Sequence, residues 1–231
     1  MRLTFLFLLS GFLSSISCVG QKSKTDTVFI FRENKTYYHA VFIEKNKKSH
    51  YYNDLIMKKN SPWDSSLYKE NVSLLKEKTG VLQQNKIKTI NKNWYPLYLY
   101  KGNYFVYYPS DGAYNGWISI NDSIFLNYAA GEMIPEAITK VNRESSALFR
   151  IATIKLSGDV GAIYFHLIDK EKGIAVFEFV DEAPPNRYRL MIDSRKIKKI
   201  PLIINYCQEQ KQEEFEFDKP DYEKIIGIKN R

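Results

Sequence analysis

The sequence predicts a mainly β fold, an antiparallel meander that closes as a barrel or folds as a sandwich, with one amphipathic helix near residues 62–79. Two observations lead to this prediction. The chain carries 17 Tyr and 14 Phe, and aromatic residues favour strands. Along most of the chain, short runs of β-branched and aromatic residues alternate with turn signals, at a spacing of roughly 8–12 residues.

The N-terminus has the residue order of a secretory signal. Arg2 supplies a positive charge, residues 3–13 are mostly apolar, and small residues follow as far as Gly20. The apolar run is too short to span a bilayer, which takes about 20 residues. We therefore expect residues 1–20 to be a signal peptide, residues 21–26 to be a short tether, and the protein to be exported.

Two routes of maturation remain open for this signal. Residues 16–18 resemble a lipobox, although Ser15 stands where that pattern prefers Leu. The resemblance implies that Cys18 is lipidated, which would make the chain an outer-membrane or periplasmic lipoprotein that meets the membrane only through its lipid anchor. The alternative is plain cleavage after Ser17 or after Gly20, which would release a periplasmic or secreted protein.

The rest of the chain is long enough for a single β-rich domain, which we place at residues 27–208. A charged tail follows at residues 209–231, and Tyr222, Ile225 and Ile226 give it the option of a short docked helix. The formal net charge is +8, but the basic residues are scattered along the chain. Because an exported protein rarely meets nucleic acid, we expect no nucleic-acid partner.

The first half of the domain starts with a hairpin and a helix. Residues 27–31 and 37–43 are rich in β-branched and aromatic residues and predict two paired strands. Ser61 can cap free amide groups, and Pro62 fits the first helical turn, where an N–H group is not needed. Apolar residues then recur at near-helical spacing, at Trp63, Leu67, Leu74 and Leu75, before Gly80.

Two further hairpins are predicted in the middle of the chain. One pairs residues 94–100 with 103–108 through a tight turn at Lys101 and Gly102, and the other pairs 117–120 with 123–128 through Asn121 and Asp122. Pro96 lies inside the first of these strands and has no amide proton to donate. That strand is therefore predicted to lie at a sheet edge or to carry a bulge.

The last third continues as strands after one ambiguous segment. Residues 129–143 fit a short helix lined by Met133, Ile134 and Ile138, with Pro135 in its first turn, as well as a strand. Clear strand patterns follow at residues 147–156, 162–168, 174–180, 187–192 and 197–206. This strand rhythm, and no motif, resembles that of lipocalin-like and other calycin-type envelope proteins.

Signatures of metal, nucleophile and phosphate chemistry are missing from the sequence. His39, His50 and His166 have no second ligand at metal-binding spacing, and the chain contains no nucleophile elbow and no phosphate-binding loop. The glycine-rich residues 157–161 lie between two predicted strands, so we interpret them as a hairpin turn. We therefore expect neither a metal nor a cofactor, and we assign no catalytic residue.

The aromatic region at residues 94–117 supplies the candidate binding residues, which are Tyr104, Tyr108, Tyr114 and Trp117. Alternation along the strands divides its rings between two faces, of which one packs on the core and the other is expected to be exposed. Exposed rings beside amide and carboxylate groups can bind sugars or a peptide strand. The competing interpretation is that these rings form cross-strand pairs that only stabilise the sheet.

Three functions are compatible with this sequence. The first is an exported, non-enzymatic cell-envelope protein that binds an unidentified ligand or envelope protein through the aromatic region at residues 94–117, which we call the aromatic hairpin. The alternative is an exported hydrolase that uses His166 or Asp159, which a pocket holding His166 beside a carboxylate would favour. A third possibility is a structural lipoprotein that acts only in assembly.

Overall fold

The computed structural model describes residues 27–34, 37–57, 62–85, 87, 90, 92–111, 116–129, 132–207 and 214–227. The predicted signal and tether, with the candidate lipidation site Cys18, lie outside the described residues, as does the candidate binding residue Tyr114. Among the described residues, none of the helices combines the length and the apolar character needed to cross a membrane.

The described residues form thirteen strands, three α-helices and a 3-10 turn at Ile197–Lys199. The strands are β1 (Thr27–Asn34), β2 (Tyr38–Glu44), β3 (Asn93–Pro96), β4 (Tyr98–Tyr100), β5 (Asn103–Tyr108), β6 (Trp117–Ile120), β7 (Ile124–Ala129), β8 (Glu132–Arg143), β9 (Leu148–Ile154), β10 (Val160–Asp169), β11 (Ile174–Phe179), β12 (Tyr188–Asp193) and β13 (Leu202–Cys207). The helices are α1 (His50–Met57), α2 (Pro62–Thr79) and α3 (Tyr222–Ile226).

Eight of the described strands close into an antiparallel barrel, in the order β10-β11-β12-β3-β6-β7-β8-β9. The prediction of a mainly β, antiparallel fold is confirmed, and of the two closures left open by the sequence the chain adopts the barrel. Sequential strands β6 to β12 pair with their neighbours as a meander. Strand β3 completes the ring by pairing with β12 on one side and β6 on the other.

Aromatic side chains fill the inside of the barrel. The rings of Phe165 and Phe177 lie 5.1 Å apart, and the ring of Trp94 lies 5.1 Å from that of Phe165. Phe125 and Phe149 extend this cluster, and each of the five side chains is at most 5% exposed. Tilted and edge-on contacts of this kind stabilise a core beyond the area that they bury.

The other five described strands form a second sheet, in the order β1-β2-β13-β5-β4. Strands β13 and β5 are parallel, whereas the other neighbours are antiparallel. One face of this sheet packs against the barrel through Val106, Leu202 and Ile204, which join Val176 and Leu190 in a cluster that we call the central cluster. The outer face of the barrel and one face of the sheet therefore share the central cluster, which is separate from the aromatic cluster inside the barrel.

The second face of the sheet is covered by the start of residues 214–227, which we call the C-terminal segment. Phe215 and Phe217 pack on this face, where Phe217 stacks 4.4 Å from the ring of Tyr98. Glu214 accepts hydrogen bonds from the hydroxyl group of Tyr107 and, at 3.2 Å, from that of Ser110. The face that the sequence predicted to expose aromatic rings is thus largely covered.

The predicted helix is present as α2, which spans residues 62–79 and packs on strand β8. Leu75 is fully buried, and the side-chain amide of Asn71 donates to the backbone oxygen of Met133 at 2.7 Å. Helix α1 was not predicted. Its Tyr52 is fully buried and donates to the backbone oxygen of Ile200 at 2.8 Å, so a tertiary contact fixes this short helix.

The described part of residues 129–143 does not form a helix. Ala129 ends strand β7, and Glu132–Arg143 is strand β8, which pairs with β7 and β9. Pro135 lies opposite Leu126 in this ladder, and its ring is buried. The helical alternative was wrong because two neighbouring strands satisfy the backbone of this segment, which local periodicity cannot reveal.

Residues 94–100 do not form one strand either. Strand β3 ends at Pro96, and β4 begins at Tyr98 in the other sheet, so the chain leaves the barrel at Leu97. Because Pro96 has no amide proton, the barrel ladder ends naturally at this position. This exit opens the wall of the barrel.

The turn between β10 and β11 requires glycine at position 173 for two reasons. Gly173 has a φ of +71°, and a Cβ atom there would lie 2.9 Å from the Cβ atom of Asp193 and 2.8 Å from the Cγ atom of Lys196. Gly158 has a φ of +97°, but a Cβ atom there would meet open space. Comparing the same substitution at the two glycines therefore distinguishes the cost of the left-handed backbone from the cost of steric overlap.

We expect Gly173→Ala to lower the free energy of unfolding by about 2–3 kcal/mol, since it adds a steric clash to the cost of a left-handed backbone. Gly158→Ala should cost only about 1 kcal/mol, the cost of the backbone alone. Urea unfolding of both variants measures the difference. Equal losses would show that the neighbouring residues Asp193 and Lys196 move away without cost.

Candidate functional site

A gap in the barrel wall lies where β3 leaves the barrel. The last pair between β3 and β12 is Pro96 with Met191, and the last pair between β3 and β6 is Trp94 with Ile118. Beyond these pairs β12 continues to Tyr188 with no β3 residue opposite. Two strands that flank a common neighbour are about 10 Å apart, so the missing half-strand leaves room between β12 and β6.

A cavity of about 410 Å³ occupies this gap. This volume lies within the range of about 300–1,000 Å³ that is usual for small-ligand sites. Pro96, Leu97, Ile118 and Met191 contribute apolar surface where the cavity meets the core. The cavity therefore results from the topology, because β6 and β12 extend beyond the end of β3, the strand that lies between them.

Two pairs of stacked aromatic rings line the cavity. The rings of Trp117 and Tyr128, from β6 and β7, lie 5.5 Å apart with an angle of 19° between their planes. The rings of Tyr188 and Tyr222, from β12 and α3, lie 5.1 Å apart at 21°. All four side chains are half-buried, so they combine fixed positions with accessible ring surface.

Arg189 crosses the gap and is held by three groups. Its guanidinium group donates to the side-chain oxygen of Asn127 at 2.7 Å and lies 3.5 Å from a carboxylate oxygen of Glu182. The same group lies over the ring of Phe179, 4.4 Å from its centre. The positive charge is therefore matched by a carboxylate and fixed in orientation.

The C-terminal segment supplies another part of the lining, through Asp218, Pro220 and Tyr222. Asp218 is fixed by a backbone bridge to Leu99, and its side chain accepts a hydrogen bond of 3.2 Å from the amide of Gly102. The cavity thus joins parts of the chain that lie about 100 residues apart in the sequence.

Glu178 lies on the outer surface of the barrel beside Tyr188, where it is the common partner of three polar side chains. One of its carboxylate oxygens accepts hydrogen bonds from Arg187 at 2.6 Å and from the hydroxyl group of Tyr188 at 3.3 Å. The other oxygen lies 3.1 Å from Nε2 of His166. Glu178 therefore connects β10, β11 and β12, and it positions one of the aromatic rings that line the cavity.

These contacts change the acidity of the groups involved. Burial raises the pKa of Glu178, but the hydrogen bonds from Arg187 and His166 outweigh burial and hold the pKa below its ordinary value of 4.5. Burial raises the pKa of Tyr222, and burial together with Glu178 raises that of Tyr188. Burial also raises the pKa of Tyr98 to about 12, so these phenols are hydrogen-bond donors at neutral pH.

The structure separates the residues that the sequence proposed for binding. Trp117 lines the cavity. Tyr104 and Tyr108, on β5, are half-buried and pack on the central cluster, where the ring of Tyr108 lies 5.2 Å from that of Tyr51. The described contacts of Tyr104 and Tyr108 thus lie between the sheet and the barrel, whereas Trp117 faces the gap.

Sequence reasoning missed Tyr128, Tyr188, Arg189 and Tyr222 as cavity residues. Tyr128, Tyr188 and Arg189 lie in segments that were predicted as strands, and Tyr222 was predicted only as part of a charged tail with the option of a short docked helix. Alternation within β12 places Tyr188 outside the barrel and Arg189 inside it. A long polar residue within an otherwise apolar strand was the available signal for Arg189.

The residues proposed for a hydrolase do not meet in the cavity. His166 lies beside the carboxylate of Glu178, but neither residue lines the cavity. Asp159 is exposed in the turn between β9 and β10, where its side chain accepts a hydrogen bond of 2.7 Å from Ser157. Within the described part of the chain, no group of three or more His, Cys, Asp or Glu residues has an arrangement that could hold a metal ion.

Comparisons of the chain with protein-family models, with curated proteins and with solved structures found no match.

Proposed function

We propose that this protein is an exported, non-enzymatic cell-envelope protein that binds a small ligand in the cavity between β6 and β12. The observation that carries the proposal is a cavity of about 410 Å³ that two aromatic stacks line and that Arg189 crosses in a fixed orientation. Concave sites of this size, with apolar walls and a few oriented polar groups, are typical of ligand binding. The N-terminal signal pattern supports export, and its lipobox-like residues support anchoring through Cys18.

The proposed binding surface differs from the aromatic hairpin in one respect. Trp117 belongs to both, but its partners in the cavity are Tyr128, Tyr188 and Tyr222 instead of Tyr104 and Tyr108. Hydrolysis is supported less well, because His166 and Glu178 form an interaction outside the cavity.

The experiment is a fragment screen by saturation-transfer-difference NMR, with neutral, cationic and anionic fragments. Asn186 lies at the cavity and is exposed, so Asn186→Trp should obstruct the cavity without disturbing the core. Glu171→Trp is the matched control, because Glu171 is also exposed but lies in the turn between β10 and β11. We expect fragments to bind to the wild type and to Glu171→Trp, with signals at least tenfold weaker in Asn186→Trp.

Either of two results would overturn the proposal. One is that no fragment binds to the folded wild-type protein. The other is that the bound fragments are unaffected by Asn186→Trp, which would place binding elsewhere. Thermal unfolding of each variant checks that the added Trp leaves the fold intact.

A further inference from the structure

Three properties of the cavity indicate which class of ligand it binds, and the first is the shape and chemistry of its walls. The four stacked rings present flat, electron-rich surfaces at the gap, with Trp117 the largest of them. A pyranose ring has one flat face of C–H groups with partial positive charge, and such a face packs well on an aromatic ring. Flat aromatic walls therefore suit a sugar better than a branched aliphatic ligand.

The second property is the charge of the cavity, which indicates whether the ligand is charged or neutral. Arg189 and Asp218 are the only charged residues that line it among the described residues, and they carry opposite charges. Arg189 also lies 3.5 Å from Glu182, so its charge is already compensated. A phosphate or a carboxylate ligand usually requires an available cation, and this cavity offers none that is uncompensated. A neutral ligand therefore fits the electrostatics.

The third property is the set of hydrogen-bonding groups at the cavity, which indicates the polar groups that the ligand carries. Asn186 is exposed at the cavity, so its side-chain amide can donate to a ligand and accept from one. Asn127 uses its oxygen to accept from Arg189, and Asp218 uses one carboxylate oxygen to accept from Gly102. Amide groups that both donate and accept, together with a carboxylate, match the hydroxyl groups at the edge of a pyranose ring.

A peptide strand is the competing occupant, since the gap has the width of one missing strand. Two features of the backbone argue against it. Pro96 and Pro220 line the cavity without an amide proton to donate. The backbone oxygen of Leu190 already accepts a hydrogen bond of 2.9 Å from the amide of Leu97. Strand addition depends on a free backbone edge, and these residues interrupt that edge.

From these features we infer that the cavity is a binding site for a neutral oligosaccharide. A pyranose ring packs against the aromatic wall that includes Trp117, and its hydroxyl groups bond to Asn186, Asn127 and Asp218. This inference rests on the proposed function, because it specifies the ligand class of the same cavity.

The test uses three neutral trisaccharides as probes, namely cellotriose, maltotriose and N,N′,N″-triacetylchitotriose, with glucose-6-phosphate and tetra-alanine as the charged and peptide comparisons. Binding to the full-length mature protein is measured by saturation-transfer-difference NMR and by calorimetry. We expect at least one trisaccharide to bind, and both comparison compounds to bind at least tenfold more weakly.

Two cavity variants and one control variant test whether the trisaccharide binds in the cavity. We expect Trp117→Leu to weaken trisaccharide binding roughly 3- to 10-fold through loss of an aromatic contact, and Asn186→Ala to weaken it by a similar factor through loss of a hydrogen bond. Tyr164→Leu is the matched control, because Tyr164 is a half-buried ring on β10 that does not line the cavity. Its affinity should equal that of the wild type. Since Asn186 is exposed, its variant stays folded even if Trp117→Leu does not.

The outcomes separate this inference from the proposed function. If tetra-alanine or glucose-6-phosphate binds in the cavity and no trisaccharide does, the ligand class is wrong while a binding function stands. If trisaccharides bind equally well to the wild type and to Asn186→Ala and Trp117→Leu, the sugar site lies elsewhere and the inference fails. If neither these probes nor the fragment panel binds, both proposals fail.

Discussion

Phe177→Ala should lower the free energy of unfolding by about 3–5 kcal/mol, the largest loss that we expect from a single substitution in this chain. Phe177 is fully buried at the centre of the barrel, and its ring lies 5.1 Å from that of Phe165, 5.6 Å from that of Trp94 and 6.2 Å from that of Phe125. Truncation removes these contacts and leaves a cavity that neighbouring strands hold open.

Urea unfolding measures this loss as a shift in midpoint with little change in slope. Since domains of this size are stable by only about 5–15 kcal/mol, the variant is expected to be close to unfolding at 37 °C. Phe177→Leu keeps more of the volume and should cost about 1–2 kcal/mol, which keeps the prediction testable if the alanine variant does not fold.

Phe31→Ala is the control for this substitution. Phe31 lies on the edge strand β1 and is 42% exposed, so its truncation should cost less than about 1 kcal/mol. Similar losses for Phe177→Ala and Phe31→Ala would contradict a filled barrel. They would indicate instead that the interior tolerates a cavity, as a hollow barrel would.

The parts of this fold that the sequence predicted are those with local causes. The hairpin of β4 and β5 was predicted from Lys101 and Gly102, and both residues have positive φ angles, as a tight two-residue turn requires. The hairpin of β6 and β7 was predicted from Asn121, whose side-chain oxygen accepts hydrogen bonds from the amides of Ser123 and Ile124. Such signals lie within a few residues and need no knowledge of the rest of the chain.

The parts that could not be predicted depend on distant partners. Strand β8 resembled a helix because its apolar residues also fit a helical period, and only pairing with β7 and β9 decides the matter. Helix α1 is short, and its buried Tyr52 is held by Ile200, about 150 residues away. Closure as a barrel depends on β3 pairing with β12, which lies about 90 residues further along the chain.

The candidate site could be predicted only for Trp117. The hairpin pattern identified aromatic residues, but it could not show that the C-terminal segment covers the sheet and brings Tyr222 onto Tyr188. It also could not show that the chain leaves the barrel at Leu97. A cavity formed by the end of one strand between two others is a property of the whole topology.

Glu178→Gln should lower the free energy of unfolding at pH 7 by about 2 kcal/mol, because a neutral amide replaces a buried carboxylate that accepts charge-assisted hydrogen bonds. Glu178 is 8% exposed and contacts Arg187, His166 and Tyr188. The expected loss is smaller than that of Phe177→Ala, because Arg187 is partly exposed and regains water.

The loss should depend on pH in a defined direction. The pKa of Glu178 is lower in the folded protein than its ordinary value of 4.5. The ionised carboxylate therefore contributes stability above about pH 4.5, and this contribution is lost as the pH falls through the folded pKa. We expect the difference between the wild type and Glu178→Gln to be full at pH 7 and to shrink steadily below pH 4.5.

Glu136 is the matched control, because it is a buried carboxylate on the same barrel with the opposite shift. Its side chain is 7% exposed and accepts a hydrogen bond from Thr153, but burial raises its pKa above 4.5. A raised pKa means that stability falls as the pH rises from 4.5 through the folded pKa. Glu136→Gln keeps an acceptor for Thr153 and removes this cost, so it should be at least as stable as the wild type at pH 7.

The pair of substitutions therefore distinguishes the specific contacts of Glu178 from the general effect of burying a carboxylate. Urea unfolding between pH 3 and pH 7 should give a loss for Glu178→Gln that grows with pH, and no loss at pH 7 for Glu136→Gln. If Glu178→Gln, like Glu136→Gln, shows no loss at pH 7, Arg187 and His166 do not outweigh the burial of Glu178. Tyr188 would then lack the fixed support that holds it at the wall of the cavity, and a rigid binding site there would lose its physical basis.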